Sequence, residues 1–225
     1  MMMIGPLYFP DQEKHFQAFA EDIEGYQKPQ RDKAMEYVTD WSCALDGGAN
    51  VGIFARHFAQ RFEKVIAVDP LDANIECLKL NTPENVEIIQ AALGDAPGPV
   101  QMYTGGSTLG HAFIKSRADI AIPGVSETKL SNPKLQQSAH MITIDSLKLE
   151  RLGLIKLDIQ GAEVIALRGA MKTIARCKPV ILIEEKPLGS AKGSTQHITE
   201  GTDLLTELGM TRVTKVGADS IFCFL

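Results

Sequence analysis

The segment ALDGGANVGIF (residues 44–54) decides the fold of this chain. Its apolar start ends at Asp46, two glycines follow, and a third glycine, Gly52, precedes residues that can continue as a helix. A strand that turns sharply into a helix while its backbone passes close to a ligand needs positions without a side chain. The segment therefore predicts a strand, a loop that binds a nucleoside cofactor, and a helix.

Asp46 indicates which cofactor this loop binds. A carboxylate beside the turn would repel a pyrophosphate, whereas phosphate-binding loops present bare amide groups to that anion. S-adenosylmethionine (SAM) carries an α-ammonium and a sulfonium where a dinucleotide carries phosphates. The acid therefore favours SAM, with S-adenosylhomocysteine (SAH) as the product. The predicted cofactor contacts in the loop are Asp46, Gly47, Gly48, Asn50 and Gly52.

The segment KVIAVDP (64–70) carries the second part of a cofactor site. It is a short run rich in β-branched residues that ends in an acid and a proline, which predicts the next parallel strand. In doubly wound sheets, an acid about 20 positions after the glycine loop accepts hydrogen bonds from ribose hydroxyls. Asp69 fits this role; the alternative is that Asp69 only starts the turn before the next helix.

Composition narrows the protein class. A chain of 225 residues, 44% hydrophobic and 23% charged, suits one α/β domain with additions. A net charge of −5 disfavours nucleic acid as a partner, because sequence-independent binding needs clustered Lys and Arg. Four separated cysteines without a CxxC motif, no secretory leader and no run of 18 apolar residues predict a cytoplasmic protein that does not span a membrane.

Strands and helices alternate along most of the chain, which implies a parallel sheet. The pattern predicts strands at 43–46, 64–69, 86–91, 152–160, 179–185, 210–216 and 220–225, and helices at 11–24, 29–40, 51–61, 72–81, 162–176 and around 201–208. The last two strands read as a closing antiparallel hairpin. The predicted fold is a Rossmann-like, doubly wound, mostly parallel seven-stranded α/β sheet with an antiparallel C-terminal strand. We expect a single domain (1–225) with an N-terminal helical extension (1–40).

The least regular segment, 97–140, lies between the third and fourth predicted strands. Long irregular connections in compact domains usually carry function. Its ends, VQMYTG (100–105) and SAHMITIDSL (138–147), could be strands that extend the sheet edge or form a lid. We expect this insertion to select the substrate; the alternative is a surface insertion without ligand contact.

Five motifs together resemble the FkbM family of the class I SAM-dependent methyltransferases. They are ALDGGANVGIF, VIAVDPLDANIECLKLN (65–81), AALGD (91–95), TIDSL (143–147) and LIKLDIQGAEVIALRGA (154–170). The resemblance covers roughly residues 40–185, and the last motif is the most distinctive. Gln160 stands where the family more often has Glu.

The resemblance implies O-methylation of a hydroxyl on a small molecule or glycan. It also implies that adenine lies near Leu71 and the chain around Ala92. Methyltransferases that act on amines or amides typically place Asn or Asp, Pro-Pro and an aromatic residue after the fourth strand, whereas this chain has Asp158-Ile159-Gln160-Gly161. A hydroxyl acceptor is therefore favoured over an amine or a nucleobase.

Four residues are candidates for catalysis. Lys156 and Asp158 are two apart on one strand, so they face the same side and could form a buried ion pair. Asp158 at the strand tip is the first candidate for an acid or base; alternatively it caps the next helix or holds the cofactor's ammonium. His111 and His140 in the insertion are candidate bases, although a loop histidine is usually just solvated.

Other acids fit less demanding roles. Glu163 falls in the first turn of its helix, where the helix dipole favours a carboxylate. Glu184 and Glu185 could join Asp158 as Mg²⁺ ligands, but the acid-plus-Asn pair of catechol-type methyltransferases is absent at this position. We therefore predict no metal site.

Two other functional classes remain open. A doubly wound sheet also suits an NAD-linked oxidoreductase, but Asp46 and the missing G-x-G spacing oppose that interpretation. A non-catalytic domain could keep the fold and the cofactor as a scaffold. An intact cofactor loop favours the enzyme.

Overall fold

The computed structural model describes residues 1–11, 13–104, 112–114, 135–185 and 196–225, and its elements alternate as the sequence predicts. In chain order they are β1 (Met2–Ile4), β2 (Leu7–Phe9), a 3₁₀ helix (Phe16–Asp22), α1 (Lys28–Met35), β3 (Cys43–Gly47), α2 (Ile53–Phe58), β4 (Lys64–Asp69), α3 (Asp72–Asn81), β5 (Val86–Gln90), β6 (Ala92–Leu93), β7 (Gly98–Thr104), β8 (Ala112–Ile114), β9 (Leu135–Ile142), a second 3₁₀ helix (Ile144–Leu147), β10 (Leu154–Leu157), α4 (Glu163–Arg168), α5 (Met171–Cys177), β11 (Val180–Glu184), α6 (Gln196–Glu207), β12 (Thr211–Val216) and β13 (Asp219–Cys223).

A seven-stranded sheet forms the centre of the protein, in the order β12-β13-β11-β10-β3-β4-β5. The five strands from β11 to β5 are parallel, and β13 runs antiparallel to both of its neighbours. The predicted fold class is therefore confirmed. Parallel strands with helices on both faces are buried on both sides. Accordingly, Ala44 packs in one hydrophobic cluster and Leu45, the next residue, packs in the cluster on the opposite face.

The helix predicted at 162–176 is divided into α4 and α5. Gly169 lies at the break, where a Cβ would come within 1.9 Å of the Gly94 carbonyl oxygen. The Gly169 carbonyl accepts a hydrogen bond from Asp145 N at 2.8 Å instead of continuing one long helix. A backbone contact this close was not visible in the helical periodicity.

The N-terminal segment differs from its prediction. The expected helix at 11–24 is wrong: residues 2–9 form the antiparallel hairpin β1–β2, and a 3₁₀ helix follows with non-helical angles at Phe19. Asn81 at the end of α3 holds the hairpin, because its side chain exchanges two hydrogen bonds of 2.8 Å with the backbone of Tyr8. Phe9 and Phe16 then pack against Val51 beside the glycine loop. Packing against the domain, rather than helical amphipathicity, decides this segment.

Strands of the insertion form a second sheet together with β6, which precedes the insertion, in the order β6-β9-β7-β8. Strands β7 and β9 pair antiparallel with each other. The two strands predicted at the ends of the insertion thus exist, but they pair with one another and do not extend the seven-stranded sheet. Residues 105–111 and 115–134 lie outside the described residues.

Two further sequence observations can be compared with the structure. None of the described helices is long and apolar enough to cross a membrane. The four cysteines are free thiols, and three of them are buried while Cys177 is partly exposed. Cys43, Cys77 and Cys223 are therefore core residues.

Candidate functional site

A cavity opens at the carboxyl ends of β4, β3, β10 and β11. It encloses about 1190 Å³ of space, part of which is open to solvent. In open α/β sheets, ligands bind outside the carboxyl ends of the strands, which is where this cavity lies.

The glycine loop forms one wall of the cavity. Gly48 has a φ of 75°, and a Cβ there would lie 2.0 Å from the Asp158 carbonyl oxygen, so only glycine fits. Asn50 also lies in the left-handed region, with a φ of 52°. Gly48 and Asn50 line the cavity, whereas Gly47 and Gly52 lie behind it, where a Cβ would meet side chains at 2.8 Å and 2.6 Å. Those two glycines therefore serve packing.

Asp69 at the end of β4 is buried and faces the cavity. Its carboxylate accepts hydrogen bonds from Asn50 N at 2.9 Å, Leu71 N at 3.0 Å and Asn74 Nδ2 at 3.0 Å. Burial raises the pKa of this carboxyl to about 6, and the hydrogen bonds only partly oppose that rise. An ionised carboxylate has about four acceptor positions, so capacity remains for a ligand donor.

Asn74 is a site residue that the sequence analysis missed. It is buried and lines the cavity, and its Oδ1 atom has no hydrogen-bond partner among the residues that the structure describes. A buried acceptor without a partner is costly unless a ligand satisfies it. The signal was available, because Asn74 lies five residues after Asp69, in the first turns of the following helix.

Asp46 occupies a different place from the one predicted. It is fully buried, does not line the cavity, and lies 2.9 Å from Lys156 Nζ on the neighbouring strand. The predicted direct contact between Asp46 and a cofactor ammonium is therefore not supported, because Lys156 already neutralises this carboxylate. The lysine also pairs with Asp46 instead of with Asp158, as the β3–β10 register places residues 46 and 156 opposite each other.

Lys156 stabilises the backbone of the glycine loop. Its ammonium donates hydrogen bonds to the carbonyls of Gly47 at 3.1 Å and Gly48 at 2.8 Å. Burial works against the charged form, but the attraction of Asp46 and then of Asp158 outweighs it, so the pKa of Lys156 is raised. A lysine that stays protonated cannot remove a proton from a substrate. Lys156 nevertheless lines the cavity, and its part in catalysis stays a prediction.

Asp158 does lie at the cavity, directly across from the glycine loop. Its backbone N donates to the Gly47 carbonyl at 3.2 Å, and its Oδ1 accepts from Gln160 Nε2 at 2.8 Å. Gln160 also reaches Glu184 Oε2 at 3.3 Å. All three side chains line the cavity, so two acids and a bridging amide form its second wall.

Glu163 holds the turn that carries this second wall. Its carboxylate accepts from Ile159 N and Gly161 N, both at 2.9 Å. Burial raises the pKa of Glu163 to about 7 in spite of these hydrogen bonds. Since Glu163 does not line the cavity, its role is structural: it is the acceptor for the amides that open α4.

Only some of the remaining predicted residues line the cavity. Ala92 lines the cavity, whereas Leu71 is buried behind it. His140 is exposed on β9 and does not line the cavity, so its prediction as a base is not supported. His111 lies outside the described residues.

The possible metal ligands are also separated. Glu185 turns away from the cavity to accept from Thr202 Oγ1 at 2.9 Å and to pair with Arg212 at 3.3 Å. Across the part of the chain that the structure describes, no three His, Cys, Asp or Glu side chains group closely enough to hold a metal ion.

The N-terminal segment supplies a third wall that the sequence analysis did not foresee. His15, Phe16, Tyr26 and Gln27 line the cavity. The His15 Nε2 atom lies 3.2 Å from the Tyr26 hydroxyl, within hydrogen-bond distance. No motif marks these residues, because they reach the site through the packing of the hairpin and 3₁₀ helix.

Comparison with known proteins identifies the fold and its family. The model of the methyltransferase FkbM domain matches residues 46–209, which is more than half of the chain. The chain belongs to the FkbM methyltransferase family. The resemblance found in the sequence motifs is thereby confirmed.

Individual relatives of this chain are distant in sequence. Methyltransferase 1 of Beauveria bassiana (strain ARSEF 2860) is 27% identical over an alignment of 153 residues, and the match covers 58% of this chain and 59% of that relative. The chain thus spans about three fifths of the length of this curated relative.

A solved structure shows the same fold. The crystal structure of methyltransferase FkbM from Methylobacillus flagellatus KT aligns over 95% of this chain and 56% of that chain, with 14% identity and a TM-score of 0.51. A TehB-like SAM-dependent methyltransferase from Corynebacterium glutamicum aligns over 94% and 98% of the two chains, with 11% identity and a TM-score of 0.46.

Proposed function

We propose that this FkbM protein transfers a methyl group from SAM to a hydroxyl oxygen of a small molecule or glycan. One observation carries the cofactor assignment: the Asp69 carboxylate and the unpartnered Asn74 Oδ1 atom are adjacent buried acceptors on the cavity wall. A ribose presents two neighbouring hydroxyl donors, which these acceptors would satisfy.

The rest of the cofactor fits the neighbouring residues. Residues 48–50 bring the backbone of the glycine loop to the cavity, and residues 91–93 offer an apolar wall for adenine. Since Asp46 is neutralised by Lys156, Asp158 is the carboxylate beside the loop that suits the cofactor's ammonium. We call residues 48–50, Asp69, Asn74 and 91–93 the cofactor half of the cavity.

The acceptor half consists of His15, Phe16, Tyr26, Gln160 and Glu184. When bound, SAM supplies a methyl group on a cationic sulfur, so the protein's tasks are to orient the acceptor, exclude water and remove a proton. Glu184 can accept hydrogen bonds from hydroxyl groups, and Gln160 can both accept and donate them. Phe16 provides an apolar surface. This mixture suits an alcohol or a sugar.

We extend the proposal to domain organisation. Residues 1–40 and 97–140 both contribute cavity walls, through His15 and Tyr26 in the first case and Met102 and Ile114 in the second. They are best understood as additions to one catalytic unit that comprises residues 1–225.

Calorimetric titration tests the cofactor assignment. We expect SAH to bind the wild-type protein and NADH not to bind. The Asp69→Ala variant should lose more than about tenfold in SAH affinity because the ribose hydrogen bonds disappear. Asp203→Ala, an exposed acid on α6, is the matched control and should bind like the wild type.

Three results would contradict the proposal. Binding of NADH in place of SAH would indicate an oxidoreductase. Unchanged SAH affinity in Asp69→Ala would remove Asp69 from the ribose site. SAH binding without methylation of any acceptor would indicate the scaffold alternative.

A further inference from the structure

The sheet edge sets the direction in which the cavity runs from cofactor to acceptor. Asp69, the glycine loop, Asp158 and Glu184 follow four adjacent strands, β4, β3, β10 and β11. Neighbouring strands lie about 4.8 Å apart, so Glu184 is roughly 14 Å from Asp69 along this edge. When a ribose is bound at Asp69, the end of the cavity at β10 and β11 is therefore the part that can bind the methyl acceptor.

Tyr26 and His15 cover that end of the cavity. Both line it together with Asp158 and Glu184. Burial and then the negative charges of Asp158 and Glu184 raise the pKa of Tyr26 to about 12, so its hydroxyl keeps its proton. A neutral tyrosine hydroxyl can donate one hydrogen bond and accept another at the same time.

The two side chains are held in place by neighbours. The Tyr26 ring packs edge-on against Phe16 and Phe19, with both ring centroids 4.9 Å away. The backbone N of His15 donates to Glu13 Oε1 at 2.6 Å. Buried Arg31, five residues after Tyr26, donates to the Ile53 carbonyl at 3.1 Å and so ties this segment to the helix that follows the glycine loop.

We propose, on the basis of the function proposed above, that Tyr26 and His15 form the proton relay for the acceptor hydroxyl. The acceptor oxygen bonds to the methyl carbon, the carbon–sulfur bond breaks, and its electron pair stays on sulfur. The hydroxyl proton of the acceptor passes to the Tyr26 oxygen while the phenolic proton passes to His15 Nε2. His15 is exposed, so the imidazolium then returns its proton to water.

Other groups at the cavity are less suited to this task. Lys156 is already charged and paired with Asp46. Asp158 accepts from Gln160 and lies beside the glycine loop, where it suits the ammonium. Among the described residues that line the cavity, His15 is the only imidazole.

The first experiment measures methyl transfer from tritiated SAM to three hydroxyl probes: glycerol, methyl α-D-glucopyranoside and phenol. Tyr26→Phe and His15→Gln should each lower kcat at least about tenfold, as expected for loss of general acid–base catalysis, with KM within about twofold. Tyr37→Phe and His57→Gln remove the same groups outside the cavity and should match the wild type. SAH affinity and melting temperature, measured for every variant, show that each one folds and binds cofactor.

The second experiment uses the cofactor-free protein. The ring ¹⁵N spectrum of labelled histidine reports hydrogen bonding at Nε2. Tyr26→Phe should shift the His15 resonance, whereas Tyr37→Phe should not.

The outcomes separate this proposal from the proposed function. An effect on KM alone would make Tyr26 and His15 an acceptor wall without proton transfer, and an unchanged kcat or an unchanged His15 resonance would overturn the relay. If the wild type binds SAH but methylates none of the hydroxyl probes, the hydroxyl acceptor and the relay both fail. If it does not bind SAH, the function itself fails.

Discussion

The cofactor half and the acceptor half of the cavity are built in different ways. The cofactor half comes from one stretch of chain, 48–93, in which the glycine loop and Asp69 lie at strand ends and Asn74 lies in the helix that follows β4. The acceptor half combines residues 15–26 with residues 160 and 184, which are far apart in sequence. Local chain geometry therefore specifies the first half, whereas long-range packing assembles the second.

Lys156→Met should have the largest effect, because Lys156 holds the glycine loop of the cofactor half and pairs with buried Asp46. Asp46 would remain buried without its partner, and breaking a buried pair costs about 3–5 kcal/mol of unfolding free energy. Urea unfolding measures this loss. The double variant Asp46→Leu with Lys156→Met removes both charges and should recover much of it; a double variant as unstable as the single one would contradict the role of the unpaired charge.

Gly48→Ala sharpens the view that backbone geometry defines the cofactor half. The left-handed φ of 75° and the contact of 2.0 Å with the Asp158 carbonyl predict a loss of about 3 kcal/mol, with SAH binding abolished. Thermal unfolding and calorimetry are the measurements. Gly201→Ala on α6 is the control, because its Cβ would make only ordinary contacts of 3.6 Å and 3.9 Å. Equal behaviour of the two variants would refute the argument.

The pH dependence of SAH affinity tests the cofactor half separately. Because burial raises the pKa of Asp69 to about 6, the carboxyl becomes protonated below that pH and loses acceptor capacity for the ribose. Affinity should fall about tenfold from pH 7 to pH 5, by proton linkage. Calorimetry across this range gives the profile. In Asp69→Asn the affinity should be weaker and nearly independent of pH, and a steep profile there would assign the effect to another group.

Gln160→Glu addresses the acceptor half with the smallest expected effect. It puts a third carboxylate beside Asp158 and Glu184, and like-charge repulsion near a protein surface should cost about 1 kcal/mol of unfolding free energy at neutral pH. SAH affinity should change less than about twofold. Gln101→Glu, at a partly exposed position of β7 outside the cavity, serves as the control for urea unfolding. A stabilised Gln160→Glu protein would show that the amide bridge does not relieve repulsion.

Much of the fold follows from sequence periodicity, and its failures have physical causes. All seven strands of the main sheet lie where the pattern predicts them, because residues buried on both faces leave continuous apolar runs. The break at Gly169 depends on a contact with Gly94, which is 75 positions away in the numbering and invisible to local pattern. The N-terminal hairpin depends in the same way on Asn81.

The site shows the same division. Asp69, Gly48 and Asn50 were predicted from spacing, and they line the cavity, whereas Gly47 and Gly52 do not. Asp46 was predicted to contact the cofactor because its charge was considered alone. In the structure Lys156 neutralises Asp46, and this ion pair exists because β3 and β10 are neighbouring strands. His140 was predicted to be a base from its residue type alone, and in the structure its side chain is exposed on β9.

The sequence by itself determined the strands and the glycine loop, the family and the position of the acid at the end of β4, because these depend on residues close together in the chain. Only the tertiary structure decided that Asp46 pairs with Lys156, that Asn74 presents a buried acceptor, and that the N-terminal segment brings His15 and Tyr26 to the cavity. Burial and charge pairing are properties of groups brought together by packing, and sequence spacing does not encode them.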